Sequence, residues 1–222
     1  MAARKRKDSL RIVYSILTWF FVLSMPLIAV FGCVQVIAYS HQYYDLMSKI
    51  SGSGADERSE RNYEVVQFLR GSSDTLSDSF DEGEIQHLYD VRDVLHMMLF
   101  FFVFLLITNA AVLTFLYRTA KTKRYVMSYL LRKAGFLTLV ACAFLLIAAI
   151  FFTSSFHIFH VLFFEQGSWL FYEDDLLIQL YPYDFFRYSF LVIIGGSAGA
   201  GLLLLLLGRA LSKGSKKQPQ SS

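Results

Sequence analysis

The chain has 222 residues, 55% of them apolar, with 22 phenylalanines and a mean hydropathy of +0.44. That is too apolar for a water-soluble domain of this size and points to a membrane protein. The net charge of +3 is small, but it conceals a strong division of charge along the chain.

A bilayer core of about 30 Å needs roughly 20 apolar residues as helix, and four stretches qualify. The expected order begins with a basic tail, 1–11, and a first span, 12–38. Arg4, Lys5, Arg6 and Lys7 precede this span in the manner of a signal peptide, and Val30-Phe31-Gly32-Cys33 loosely resembles a lipobox. Its apolar run is too long for a signal peptide, and it continues past Cys33, so it reads as a transmembrane helix kinked at Pro26. An outer segment, 39–93, follows. Tyr39, Tyr43 and Tyr44 suit the interfacial belt, with His41 at headgroup level. SGSGADERSE reads as a flexible loop. RNYEVVQFLRG reads as a short amphipathic helix closed by Gly71. In FDEGEIQHLYDVRDVLH, Asp81 and Glu84 have the spacing of a capping box.

The second span is expected at 94–117, a basic loop at 118–134 and the third span at 135–153. A second outer segment at 154–188 is unusually aromatic, with Phe185 and Phe186 placed to dip into acyl chains. The fourth span, 189–208, contains Gly195 and Gly199, whose spacing suits close helix approach. The tail is 209–222, and its end, KKQPQSS, reads as disordered. Cys33 and Cys142 both fall inside spans and read as small hydrophobes, with no disulfide framework.

Charge predicts orientation. The two tails and the 118–134 loop hold 15 of the 21 Lys+Arg and one acid, Asp8, of the 18. By the positive-inside rule these segments are cytoplasmic and the two acidic segments extracytoplasmic. The basic tails are short and flank helices, so topology accounts for them and no nucleic-acid partner is expected. The fold expected is an all-α membrane protein: a four-helix transmembrane bundle with a small extracytoplasmic cap made by the two outer segments.

Histidines carry the chemistry. His87, Asp90 and Arg92 form H-x-x-D-V-R before the second span, with His87 and Asp90 sharing a helix face. Asp90 would orient the imidazole and fix its tautomer. Taken alone, the motif reads more simply as a solvated helix start with a local charge pair. His157 and His160 lie in FHIFHVLFFEQGSW at the outer end of the third span, again three apart. Ionisable groups at membrane depth are costly and usually face the protein interior. If the second and third spans pack as antiparallel neighbours, three histidines meet at one surface. A neutral imidazole is a good general base near pH 7. A metal site from His87, His157, His160 and Asp90 is the competing use, but it is a weaker signal than H-E-x-x-H. No metal or other cofactor is expected. His96, about two and a half turns beyond His87, reads as a packing or supporting residue.

FDEGEIQHLYDVR at 80–92, HVLFF at 160–164, Trp169, Asp175, Ile178 and YPYDFF at 181–186 together resemble the bacterial lipoprotein intramolecular transacylase family of Gram-positive bacteria. The resemblance implies a transferase that moves the sn-2 acyl chain of a diacylglyceryl-cysteine lipoprotein onto that cysteine's own amine. It implies diacylglyceryl lipoproteins and membrane lipids as partners, and His87 and His160 as the catalytic pair, with His157 as the rival for the second position. Asp90, Arg92, His157, Trp169 and Tyr183 would support the site or bind substrate. Two other readings use the same residues: a metal-dependent or His-assisted lipid hydrolase, and a non-enzymatic lipid-binding or assembly protein.

Overall fold

A computed structural model describes residues 2–50 and 56–213. Among them the chain forms eight helices and no strand: α1 (Ala2–Ala38), α2 (His41–Ile50), α3 (Asp56–Arg70), α4 (Glu82–Thr119), α5 (Lys123–Ile150), α6 (Phe152–Phe163), α7 (Leu176–Leu180) and α8 (Tyr183–Lys213). Four are long and apolar enough to cross a membrane, over Ser9–Ala38, Glu82–Thr119, Lys123–Ile150 and Tyr183–Lys213. The protein is thus all-α with four long apolar helices. α1 runs through Pro26 without interruption.

Local chemistry sets several helix ends. α4 starts on a capping box: Glu84 N donates to Asp81 Oδ1 (2.7 Å) and Asp81 N donates to Glu84 Oε2 (2.9 Å), which satisfies two otherwise orphan amides. α3 ends in a Schellman motif. Gly71 takes φ +75°, its N–H reaches Phe68 O, and Ser72 N reaches Gln67 O, both at 2.9 Å. A left-handed residue costs glycine nothing. His96 Nε2 donates to the Leu69 carbonyl of the same helix end (3.1 Å), so the expected supporting residue serves as a cap on α3.

Contacts divide the chain into two compact units. Unit 1 comprises residues up to Val30, Phe102–Ala143 and those from Gly195. Its core joins Phe21 and Val22 of α1, Val112 and Leu116 of α4, and Leu130 and Ala134 of α5, with Leu204 of α8 packed against them. The close helix approach is at different glycines from those expected. A side chain at Gly135 would collide with the backbone of Gly201 and Leu205, and one at Gly208 would lie 2.9 Å from Arg132 N, whereas Gly195 and Gly199 have nothing within 4 Å. Periodicity finds a small-residue face, but it does not show which glycine meets a neighbour.

Unit 2 comprises Phe31–Phe101 and Phe144–Ile194. Its core gathers α2, α3, α7 and the starts of α4 and α8: Tyr44, Met47, Val66, Phe68, Leu88, Leu180 and Phe185. Phe185 is therefore a core residue and not a lipid anchor. Its ring packs on Tyr44 (5.3 Å) and Tyr181 (5.1 Å). α2 and α3 are joined by polar contacts. Buried Asn62 donates to Asp45 Oδ1 (3.0 Å) and to Ser48 Oγ (3.3 Å). α3 begins at Asp56, so the second half of the expected SGSGADERSE loop is helical. Its first half, 51–55, and the KKQPQSS tail lie outside the described residues.

Candidate active site

The site lies within unit 2 and is assembled from α4, α6 and the segment between α6 and α7. The third apolar stretch does not carry its histidines on one continuous helix. α5 stops at Ile150, and Phe151 leaves helical geometry at φ −101° and ψ 41°. Ser155 Oγ donates to the Ala148 carbonyl across this break (3.0 Å). α6 then presents His157 and His160 from a helix of its own.

His87, in the second turn of α4, and His160, in the last turn of α6, face each other. Their ring centroids are 6.2 Å apart with planes inclined by 25°. No hydrogen bond joins them. Phe164 lies 4.9 Å from His87 and 5.2 Å from His160 by ring centroid, and Phe171 lies 5.5 Å from His87. Phe156 at 4.1 Å, Trp169 at 4.8 Å and Phe159 at 5.5 Å also surround His160. Two imidazoles thus sit side by side in an aromatic surround.

His160 is 8% exposed. Its Nδ1 is 2.7 Å from the Phe156 carbonyl. A carbonyl only accepts, so Nδ1 carries the proton and the neutral ring keeps its lone pair on Nε2. Desolvation lowers the His160 pKa from its ordinary 6.5. The Phe156 hydrogen bond raises it in part, and His157 lowers it further. The ring therefore stays neutral, with Nε2 available as a base, to more acidic pH than a free imidazole. His87 is half-buried, and its Nδ1 is buried without a hydrogen-bond partner.

The other expected site residues divide. His157 is exposed and meets the Trp169 ring (5.3 Å); no ring contact joins it to His87. Trp169 packs on both α6 histidines, and its Nε1 is buried without an acceptor. Tyr183 hydrogen-bonds Thr153 (2.7 Å) and packs edge-on against Phe152 (5.2 Å) and Phe156 (6.4 Å), one ring removed from His160.

Two expected roles need correction. Asp90 accepts from Gln86 Nε2 (3.4 Å) and makes no hydrogen bond to His87. Sharing a helix face allows such a pair but does not supply it, and one turn apart the carboxylate has a solvated alternative. Arg92 pairs with Asp74 (3.2 Å) and lies over the rings of Phe68 (4.6 Å) and Tyr89 (4.8 Å). It fastens α4 to α3 and to the turn after it, and does not hold His87.

One residue with a site role was not singled out for it by sequence. Glu84 is 2% exposed. Besides capping α4, its Oε1 accepts from Leu177 N (2.7 Å) at the start of α7. The same carboxylate thus pins the end of the aromatic segment to the turn of α4 just before His87. Its capping spacing was visible, but a contact across 93 positions leaves no local trace. Among the described residues, no three His, Cys, Asp or Glu side chains gather to hold a metal ion.

With this geometry in hand, the chain can be set beside known proteins. The family model of the lipoprotein intramolecular transacylase Lit matches residues 12–186. No curated protein matches the chain. The structure is similar to that of the membrane integral lipoprotein intramolecular transacylase Lit from Bacillus cereus, at 18% identity and TM-score 0.77, over 93% of this chain and 99% of that one. A variant of the same Bacillus cereus protein with a histidine replaced by arginine gives 19% identity and TM-score 0.78, over 96% and 98%. A variant with that histidine replaced by alanine gives 19% and 0.77, over 96% and 100%.

Proposed function

Because the chain belongs to the lipoprotein intramolecular transacylase family, we propose that this multi-pass membrane enzyme moves the sn-2 acyl chain of a diacylglyceryl-cysteine lipoprotein to the amine of the same cysteine. The product is an N-acyl lipoprotein with a free sn-2 hydroxyl, the lyso form. The observation that carries the reading is the facing pair His87 and His160, 6.2 Å apart by ring centroid inside an aromatic pocket.

Nucleophile and electrophile belong to one substrate, so the reaction needs no acyl-enzyme. The pocket has to fold the diacylglyceryl cysteine so that its neutral amine meets the sn-2 ester carbon. Positioning of that kind contributes about 7–11 kcal/mol toward the barrier. Attack forms the C–N bond and places negative charge on the carbonyl oxygen. His160 Nε2 takes the proton that the nitrogen loses. Collapse breaks the bond from carbon to the sn-2 oxygen, and the His160 imidazolium returns the proton to that oxygen. Amide and alcohol result, and His160 is neutral again. One ring can serve both atoms because both are bonded to the same carbon. The tautomer held by Phe156 leaves Nε2 free for this, and the lowered pKa keeps it unprotonated at the start.

His87 donates a hydrogen bond to the oxygen that becomes negative. A donor set in place beforehand, in a site closed to water, costs no reorganisation when charge develops. The rings of Phe164, Phe171 and Trp169 receive acyl chains and exclude water, which would otherwise compete with the amine. The division of charge along the chain supports an extracytoplasmic site, with both termini and the 118–134 loop cytoplasmic.

The test is expression in a host that makes only diacylated lipoproteins, followed by mass spectrometry of the N-terminal lipopeptide. The expected result is unchanged mass with one acyl chain moved from glycerol to nitrogen, seen as an N-acylated fragment. An unaltered lipopeptide, with the protein verified in the membrane, would refute the reading.

A further inference from the structure

The indole of Trp169 has a use that packing alone does not supply. Its Nε1 is buried and has no hydrogen-bond partner. An indole N–H is a donor only, so the protein alone leaves it unsatisfied, at a cost of about 1–3 kcal/mol. An aromatic ring without the N–H would pack there without that cost. The indole ring also contacts two side chains of α6, His157 at 5.3 Å and His160 at 4.8 Å by centroid. Thus a buried donor without an acceptor lies in the same aromatic shell as the proposed base.

Resting on the reaction proposed above, we infer that Trp169 is a further catalytic residue: its indole N–H donates to the carbonyl oxygen of the acyl group in transfer. Nε2 of His160 has to reach two of the atoms bonded to the reacting carbon, the amine nitrogen and the sn-2 oxygen. The third heteroatom on that carbon is the carbonyl oxygen, so it too lies within the His160 neighbourhood that the indole shares. It is an acceptor in the ester and a stronger one in the tetrahedral intermediate, where it carries the charge. A donor-only group that stays neutral suits this place. It cannot take the amine proton, and it does not repel the His160 imidazolium. With His87 it makes a two-donor site for the oxyanion.

The experiment uses the full-length enzyme in detergent micelles with a synthetic diacylglyceryl lipopeptide, and initial rates of the N-acyl product measured by mass spectrometry. Two variants remove the donor. Trp169→Phe keeps an aromatic ring. Replacement of Trp169 by 3-benzothienylalanine keeps the indole outline and puts sulfur where N–H was. Removing one oxyanion donor lowers kcat by about 10²–10³-fold; both variants are expected to fall in that range with KM changed by less than about 3-fold. A role in packing would instead spare the benzothienyl variant. Wild-type kcat in that variant, with His160→Ala inactive, would overturn the inference and leave the transacylase reading intact. Failure of the unmodified enzyme to form N-acyl product would overturn both.

Discussion

In unit 1, Ser24 of α1 donates to buried Asn109 of α4 (3.0 Å), Asn109 donates to the Leu105 carbonyl (2.8 Å), Thr138 to Ala134 O (2.9 Å) and Ser128 to Gly208 O (2.7 Å). In unit 2, His87 Nδ1 and Trp169 Nε1 are buried without partners, as are atoms of Gln35, Tyr39, Asn62 and Tyr181. No such unpartnered buried side-chain atom falls in unit 1 among the described residues. The contrast separates two uses of polarity in an apolar chain. In unit 1 polar side chains close helix-to-helix contacts, and each of those named is satisfied locally or by a neighbour. In unit 2 one nitrogen of His87 and the indole nitrogen of Trp169, which packs on His160, are buried yet unspent, which is costly unless a substrate completes them.

The largest effect expected follows from removing the proposed base. His160→Ala should lower the transacylation rate by about 10²–10⁴-fold, the span of general acid–base catalysis, while the protein still accumulates in membranes. His87→Ala removes the proposed oxyanion donor and should cost about 10²–10³-fold. Rates of N-acyl product formation in micelles check both. Wild-type rates in either variant would erase the difference drawn between the two units.

Glu84→Ala tests how the pocket is held. It leaves Leu177 N and Asp81 N without their acceptor, which should cost about 1–3 kcal/mol for each amide that stays buried. The melting temperature in detergent should fall, and Glu84→Gln, which keeps an acceptor oxygen, should fall less. Equal melting of both variants and wild type would mean that the carboxylate does not fasten the aromatic segment.

The pH profile gives a smaller, signed effect. The His160 pKa lies below 6.5, chiefly through desolvation. Its neutral form therefore persists as pH falls past 6.5, and the acid limb of kcat/KM attributable to it should have a midpoint below that value. Linkage has the same sign. The unfolded imidazole binds a proton near 6.5 and the folded one resists it, so this contribution to stability is present above 6.5 and is lost as pH falls through the folded value. An acid limb above 6.5 that disappears in His160→Ala would contradict the desolvated setting. The smallest effect is expected for Asp90→Asn. The Asp90 carboxylate meets Gln86 and not His87, so the rate should stay within about twofold of wild type.

Much of the scaffold was legible because its causes are local or periodic. Long apolar runs mark the spans, Asp81 and Glu84 have the spacing of a cap, and Gly71 has the chemistry of a helix stop. The convergence of two histidine motifs followed from their equal depth on spans expected to be neighbours. What escaped the sequence depends on distant partners. Glu84 reaches Leu177 across 93 positions. Arg92 is claimed by Asp74, Phe68 and Tyr89. The break at Phe151 lies in an unbroken apolar run with neither proline nor glycine. α2, whose HQYYDLMSKI reads as interfacial aromatics, becomes a core helix only when Tyr44 and Met47 find Phe185 and the rest of the unit 2 core.

The claim on which the account depends is that His87 and His160 act on one ester in one transition state. A double-mutant cycle on transacylation rates tests it most directly. Groups that act as a unit are strongly non-additive, so the His87→Ala/His160→Ala double variant should be little slower than His160→Ala alone. A double variant slower by the full product of the two single effects would contradict the account.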